Sequence, residues 1–275
     1  MERAFISFSE DVEAGFDILH VDTSVEPGRI VTGEVAVRRL IELYGRVWDF
    51  AATRGRHVEF EVGVETQLVD VGQVGEFSRT TANILEQLAR ERLPAPRFVV
   101  AQTGTKVWHA SNVGVLADAN APLHRWRELQ ELAATCSRMG VRLKAHNADY
   151  LRDEVVARML NSGVEAINIA PEFAVLETRT WISAMRERGL HAMVDRLIEL
   201  AVRSDKWRTW ADDEPTLTDL DKAELCAHYL YSSADGVQMR AEFDRQLETI
   251  GATDPRISAI VARLSGLVQV TASAT

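Results

Sequence analysis

The sequence predicts an α/β fold, a TIM-type (β/α) barrel that is two βα units short and ends in a C-terminal helical extension. Short apolar, β-branched runs alternate with longer segments of helical spacing. Three successive runs begin at equal intervals, at Asp17, His57 and Arg97. Such alternation is typical of βα units around a parallel sheet, and the even spacing favours a barrel over a doubly wound sheet.

The individual elements follow from the apolar pattern and its breaks. The predicted strands cover 16–24, 57–65, 97–104, 141–148 and 164–173. The predicted helices between them cover 32–55, 75–94, 121–140 and 151–163. Gly55, Gly140 and Gly163 follow the last helical turns, where a left-handed residue commonly ends a helix. The order is therefore strand, helix, strand over the first part of the chain.

Beyond Trp181 the pattern is mostly helical, with 225–233 as one possible further strand. The polar segment 208–219 indicates a boundary. We therefore expect a partial barrel over 1–207. Residues 208–275 would supply a last strand and a helical extension, packed on the same domain. Five clear strands and one possible strand make six, so a barrel of eight strands would lack two.

Composition limits the class of protein. The chain is 46% hydrophobic and 26% charged, as in an ordinary globular protein, and its net charge of −10 argues against nucleic-acid binding. The sequence has no apolar run long enough to span a membrane and no secretory signal, which predicts a cytoplasmic protein without a membrane partner. Cys136 and Cys226 are predicted to be buried free thiols.

The glycine patterns that cradle nucleotide phosphates are absent from the sequence. No GxGxxG follows the first strand, and no GxxxxGK[ST] occurs anywhere. The sequence therefore predicts no nucleotide cofactor, and it does not favour a kinase.

Polar side chains gather where the predicted strands end. The segment "LKAHNADYL" (143–151) shows this most clearly, because hydrogen-bonding residues follow an apolar strand. In a parallel barrel the carboxyl ends of the strands form the active site. We therefore expect these side chains to meet at one rim.

A divalent metal, zinc or manganese, is one explanation for this rim. Two imidazoles and a carboxylate with an open position, here His20, Glu65 and His146, would hold a Lewis acid that polarises a sugar carbonyl. Alternatively, each histidine and acid is satisfied by ordinary polar packing. Asp149, Glu61 and Asp22 are the candidates for proton transfer.

Contacts with a substrate are predicted for a wider set of strand-end residues. These are Ser24, Gln102, Thr105, Lys106, Asn147, Asn168, Ser232 and Ser233. The segment "TGT" before Lys106 presents backbone N–H groups and an ammonium that would suit a phosphate. Ser232 and Ser233 precede a predicted helix, where a serine is also a routine N-cap.

The ordered strand ends resemble a known family. "AGFDILHVDTS", "EVGVE", "KAHNADY" and "INIAPEF", in this order, are similar to the non-catalytic subunit family of class II D-tagatose-bisphosphate aldolases, once described as tagatose-6-phosphate kinases. The similarity runs from about Glu10 to about Leu247. It implies a TIM-type barrel, cytoplasmic sugar-phosphate metabolism and partnership with a separate catalytic aldolase subunit that the family stabilises.

The resemblance also bears on residues and length. It places six residues on the family's polar strand ends: His20, Asp22, Ser24, Glu65, His146 and Asp149. Family members begin with two further βα units, the second ending in Gly-Gly-Asp-His, and this sequence starts after both. That difference agrees with the independent count of strands.

Two functions remain open from the sequence. The first is a non-catalytic, stabilising subunit of a class II tagatose-bisphosphate aldolase. An incomplete barrel would expose strand edges, which favours a catalytic partner subunit or self-association. The second is a metal-dependent epimerase or aldolase that itself acts on a phosphorylated or nucleotide-linked sugar.

Overall fold

The computed structural model describes residues 1–26, 29–30, 33–63, 70–212, 215–250 and 254–274. The strands are β1 (Ile18–Asp22), β2 (Val25–Glu26), β3 (Arg29–Ile30), β4 (Glu59–Gly63), β5 (Phe98–Ala101), β6 (Val107–Trp108), β7 (Ser111–Asn112), β8 (Arg142–Ala145) and β9 (Ala166–Ile167). The α-helices are α1 (Glu2–Ala14), α2 (Gly33–Thr53), α3 (Val74–Arg90), α4 (Leu123–Arg138), α5 (Asp153–Asn161), α6 (Pro171–Glu187), α7 (His191–Arg203), α8 (Asp219–Cys226), α9 (Ala234–Ile250) and α10 (Pro255–Ala274).

Five of these strands form one parallel sheet in the order β1-β4-β5-β8-β9. Each of the five lies inside a segment predicted as a strand, and a helix follows each one along the chain. The predicted α/β class with a parallel sheet is therefore confirmed. The closure of a barrel and the absence of two βα units stay predictions.

Alternation along the strands decides which face of the sheet is covered. On β1, Leu19 and Val21 are buried, whereas His20 and Asp22 between them are exposed. The apolar side of the sheet packs on helices, as where the ring of Tyr44 on α2 stacks on Phe60 of β4 with 3.9 Å between centroids. The opposite side is thus left for polar groups.

The possible strand at 225–233 is wrong. Leu225 and Cys226 end α8, and a 3-10 turn covers Ala227–Leu230. The cause lies upstream, because Thr218 and Asp221 form a reciprocal capping box that starts a helix. A short apolar run does not by itself distinguish a strand from a buried helix.

Contacts divide the chain into two compact units. Unit 1 comprises 1–106, 114–148 and 158–168 and contains the parallel sheet. Unit 2 comprises 107–113, 149–157 and 169–275, and its apolar core includes Trp181 and Phe243. A compact unit is a region dense in internal contacts rather than an independently folding domain, so the domain boundary at residue 207 stays a prediction.

Two further sequence predictions concern cysteines and membranes. Cys136 and Cys226 are buried free thiols, as predicted. Within the described ranges, no helix combines the length and the apolarity needed to cross a membrane.

Candidate functional site in unit 1

The polar face of the parallel sheet brings three charged or titratable side chains together. His20 of β1 and Glu61 of β4 are register partners, so their side chains lie side by side on the same face. Lys144 of β8 reaches the same carboxylate from across β5. We call His20, Glu61, Lys144, Gln102 and His146 the polar cluster.

Glu61 is the centre of this cluster. Its two carboxylate oxygens accept hydrogen bonds from Lys144 Nζ at 2.8 and 2.7 Å, and Oε1 also accepts from His20 Nδ1 at 2.9 Å. Burial alone would raise the pKa of Glu61, but the hydrogen bonds and charges of His20 and Lys144 outweigh it and lower that pKa. The carboxylate is therefore ionised at neutral pH.

The ionised carboxylate fixes the tautomer of His20. A carboxylate only accepts, so Nδ1 of His20 carries the proton and donates it to Glu61. When the ring carries no second proton, its lone pair is on Nε2. His20 is also the more exposed member of the pair, which leaves this nitrogen suited to act as a base or a metal ligand.

His146 is held in the opposite tautomer. The amide nitrogen of Gln102 lies 2.9 Å from His146 Nδ1, and an amide NH₂ group is a donor, so Nδ1 accepts and Nε2 carries the proton. Burial lowers the pKa of His146, and the nearby charge of His20 lowers it further. At neutral pH His146 is therefore an uncharged hydrogen-bond donor.

The end of β8 is fixed by a buried hydroxyl pair. Thr105 donates a hydrogen bond to the backbone oxygen of His146, and its own hydroxyl lies 3.0 Å from that of Thr103. Gly104 between them has φ +72°, and the whole segment is buried. These contacts favour a role for Thr103 and Thr105 in positioning His146, rather than the predicted role of this segment in binding a phosphate. Lys106 follows at a half-buried position.

Two other predicted residues of the same sheet edge form a local turn. The Asp22 carboxylate accepts the backbone N–H of Ser24 at 2.7 Å, and Ser24 is buried. Asn147 is buried with φ +55°, a left-handed conformation that asparagine tolerates. Asn168 pairs through its backbone with Ala145 and Ala148. Among Asp22, Ser24, Asn147 and Asn168, only the side chain of Asp22 is exposed.

The predicted metal set is only partly described. Glu65 lies outside the described residues, and within the described part of the chain no group of three His, Cys, Asp or Glu side chains is placed to hold a metal. His20 fits a ligand role, because Glu61 orients its ring in the way that second-shell carboxylates do. His146 does not fit as it stands, since the nitrogen opposite Gln102 carries a proton.

The remaining predicted residues belong to unit 2 and act locally. Asp149 is buried, and its Oδ1 accepts the backbone N–H groups of Ala170 and Glu172 at 2.8 and 2.9 Å, so it caps α6. Burial raises the pKa of Asp149, although the hydrogen bonds from the backbone of Glu172 and Ala170 partly offset this rise. Ser233 accepts the Gly236 N–H at the start of α9, and Ser232 is exposed. These contacts favour helix capping.

Lys144 is the member of the polar cluster that the sequence prediction did not select. It alternates with apolar residues on its strand and therefore resembled a solvated position. The available signal was its spacing, since Lys144 lies two residues before His146 and so on the same face of β8.

A cavity of about 350 Å³ lies at the other end of the strands of unit 1. Its lining includes Trp48, Pro94, Glu59 and Arg97, and the last two form an ion pair. None of the predicted site residues lines it. The polar cluster remains the candidate site, because it contains His20 and His146, whose hydrogen bonds favour opposite tautomers.

Comparison with known proteins supports the fold. No family model matches the sequence, and no curated protein matches it. A solved structure described as a probable tagatose 6 phosphate kinase from Sinorhizobium meliloti 1021 superposes with a TM-score of 0.66 at 15% identity, over 98% of this chain and 78% of that chain. A glycerol complex of the fructuronate-tagaturonate epimerase UxaE from Cohnella laeviribosi gives a TM-score of 0.58 at 16% identity, over 97% of this chain and 66% of that chain.

At these identities the comparisons establish a shared fold. The class defined by fold and site is thus an α/β protein whose parallel sheet carries a histidine–carboxylate–lysine cluster on one face. Its solved structural relatives include proteins named for tagatose 6 phosphate and for two sugar acids, and this chain spans about two thirds of the epimerase.

Proposed function

We propose that this protein belongs to carbohydrate metabolism, binds a ketose that carries a phosphate or carboxylate, and moves a proton at the carbon next to the carbonyl. The feature that supports this most directly is a pair of hydrogen bonds that favour opposite tautomers of two histidines on one sheet face. His20 offers a free Nε2 backed by Glu61, and His146 offers a neutral Nε2–H backed by Gln102. The substrate class is taken from the names of the structural relatives.

The proposed chemistry uses each imidazole once. His20 Nε2 removes the proton from the carbon beside the carbonyl, and the bonding electrons pass to the carbonyl oxygen. His146 Nε2–H donates a hydrogen bond to the oxygen that becomes negative. Glu61 stabilises the imidazolium of His20 while it holds the proton. The His20 imidazolium then returns a proton to the same carbon and restores the carbonyl. Because that imidazolium exchanges its proton with solvent, the hydrogen at this carbon is replaced by solvent hydrogen.

Exchange with solvent deuterium tests this proposal without a coupled assay. The protein is incubated in D₂O with D-fructuronate, D-tagaturonate or D-tagatose 6-phosphate, and proton NMR follows the C–H signal beside the carbonyl. We expect the wild type to lose that signal. For His20→Asn we expect an exchange rate that is lower by about 100-fold or more. The matched control is His124→Asn, an exposed histidine on α4.

His124→Asn should exchange at the wild-type rate. The proposal is contradicted if no substrate exchanges, or if His20→Asn and the wild type exchange equally fast.

A metal at this site is an alternative proposal, because a metal bound to Nε2 of His20 would leave that nitrogen unable to act as the base. Zinc or manganese bound with His20 as one ligand would supply a Lewis acid for the carbonyl. Elemental analysis after mild purification tests it directly. We expect a stoichiometric metal that is lost from His20→Asn and kept by His124→Asn. A metal-free wild type, or equal metal in both variants, would contradict it.

A second function is favoured by the edge of the sheet. β1 is a terminal strand, with no strand on its outer side among the described residues, and beside it Phe16 is 59% exposed. An open edge next to an exposed aromatic side chain favours docking of another chain. We therefore also propose the non-catalytic role, in which a catalytic class II tagatose-bisphosphate aldolase binds this edge. Both functions belong in the cytoplasm, as the sequence predicts.

Co-expression with such an aldolase tests the subunit role. We expect the two chains to co-purify and the aldolase to resist heating longer in the complex. Phe16→Glu should weaken the complex. Leu123→Glu, which replaces an even more exposed apolar residue on α4, should leave the complex intact. An aldolase that never co-purifies, or equal complexes with both variants, would argue against this role.

A further inference from the structure

Helix α10 (Pro255–Ala274) carries apolar side chains on both its buried and its exposed sides. Its inner side packs on α6 and buries Leu267. Its outer side exposes four large apolar residues: Ile257 at 61%, Val261 at 53%, Leu264 at 44% and Val268 at 63%. We call these four the α10 stripe. A helix that is hydrophobic all round is expected to be buried on all sides, so the stripe lacks its cover.

The spacing of the stripe is that of a coiled-coil seam. The four residues recur at intervals of four, three and four, which are the steps between the a and d positions of a heptad. Val261 and Val268 then occupy a, and Ile257 and Leu264 occupy d. β-branched residues at a combined with leucine at d favour a pair of parallel helices.

The outer side of α10 carries no net charge, although the whole chain carries −10. From Ile257 to the end of α10 the only charged residue is Arg263, and its guanidinium is bound to Asp153 at 3.0 Å and to Glu172. The residues that flank the stripe are small or neutral, as Ser258, Ala262 and Ser265 are.

We propose that two copies of this chain associate through their α10 stripes in a two-fold symmetric, parallel helix pair. Charge is the first argument for a second copy. Two acidic chains repel each other except where a face is uncharged, whereas an anionic membrane or a charged partner is recognised by basic or acidic residues that the stripe lacks. The isologous contact is self-complementary, since each stripe supplies both the valines and the leucine.

Area is the second argument. The exposed parts of the four side chains amount to roughly 400 Å² per copy. Apolar surface patches of this size are often functional. A standard stable interface buries about 800 Å² per partner, so the stripe with its small flanking residues supports a weak, concentration-dependent dimer rather than an obligate one.

Sedimentation velocity of the full chain over a wide concentration range tests the proposal. We expect a monomer–dimer equilibrium for the wild type and a monomer at every concentration for Leu264→Glu. Val268→Glu should give the same result, which guards against a folding defect in one variant. The matched control Leu123→Glu replaces an exposed apolar residue of α4 and should dimerise like the wild type.

Three results would overturn the proposal. They are a wild type that is monomeric throughout, a dimer that persists in both α10 variants, and co-sedimentation of the wild type with phosphatidylserine vesicles that Leu264→Glu abolishes. Thermal unfolding at a concentration where the wild type is monomeric should give the same midpoint for all the proteins, because every substituted side chain is exposed in the monomer.

Discussion

Lys144 donates hydrogen bonds to both carboxylate oxygens of Glu61, at 2.8 and 2.7 Å. The two residues lie on β8 and β4, which are separated in the sheet by β5, so the ion pair spans a strand. Both side chains are largely buried, and Glu61 accepts a further bond from His20. One carboxylate thus connects three strands on the polar face of the sheet.

Removal of the lysine charge should be costly. Lys144→Met leaves Glu61 buried with His20 as its remaining partner, so we expect a loss of about 3 kcal/mol in the free energy of unfolding. Urea denaturation measures this. The double variant Glu61→Gln/Lys144→Met carries no stranded charge and should be more stable than Lys144→Met alone. A double variant that is less stable than Lys144→Met would show that the buried charge is not the cause.

Stability should fall as the pH drops below about 6.5, the ordinary pKa of histidine. Burial and the charge of His20 lower the pKa of His146 in the folded state. As the pH falls, His146 is therefore protonated first in the unfolded chain, which stabilises the unfolded state relative to the folded one. The loss ends once the pH is below the folded pKa. His146→Asn removes this contribution, and urea unfolding from pH 5 to 8 should show a smaller slope.

The control for this pH dependence is His124→Asn, which should keep the wild-type slope because that residue is exposed. His228 contributes a slope of the same sign, since burial lowers its pKa too, so some dependence should remain in His146→Asn. Identical slopes for His146→Asn and the wild type would contradict the assignment.

Asp149 should be replaceable by asparagine but not by alanine. Asparagine keeps an oxygen for the N–H groups of Ala170 and Glu172 and avoids burying a charge, so Asp149→Asn should match or exceed wild-type stability. Asp149→Ala loses the cap of α6 and should cost about 2 kcal/mol. Thermal unfolding distinguishes the two. If Asp149→Asn abolished deuterium exchange while the protein stayed folded, the carboxylate itself would have a catalytic role.

Gly104 should tolerate no side chain. Its φ of +72° disfavours other residues, and a Cβ there would lie 2.9 Å from Val115 Cγ1 and 3.1 Å from Val71 Cγ2. Gly104→Ala should therefore cost about 3 kcal/mol, of which about 1 is backbone strain. Gly140, with φ +74° and open space around it, is the matched control and should cost about 1 kcal/mol. Equal losses at the two positions would exclude overpacking at Gly104.

The sequence predicted the repeated units well because their signals are local. Apolar runs of strand length, helical spacing and terminal glycines act within a few residues, and all five strands of the parallel sheet lie where these signals place them. The failure at 225–233 has a local cause too. The apolar pattern does not include the capping box of Thr218 and Asp221, which starts a helix at Asp219, six residues before the run.

The members of the polar cluster were predicted only in part. His20, Glu61, Gln102 and His146 are brought to one face of the sheet, as the convergence of strand ends requires. Asp149 and Ser233 have the same residue types but cap helices, and sequence spacing alone does not separate a capping carboxylate or hydroxyl from a catalytic one. Lys144 was missed because a lysine in an alternating strand resembles a solvated residue.

By itself the sequence determined the α/β class, the order of strands and helices and the polar character of the strand ends, because these depend on neighbours along the chain. Only the tertiary structure decided that Lys144 pairs with Glu61 across β5, and that Glu61 and Gln102 fix opposite tautomers of His20 and His146. Those pairings join residues far apart in sequence, and they depend on strand register and burial, which also shift the pKa values of Glu61 and His146.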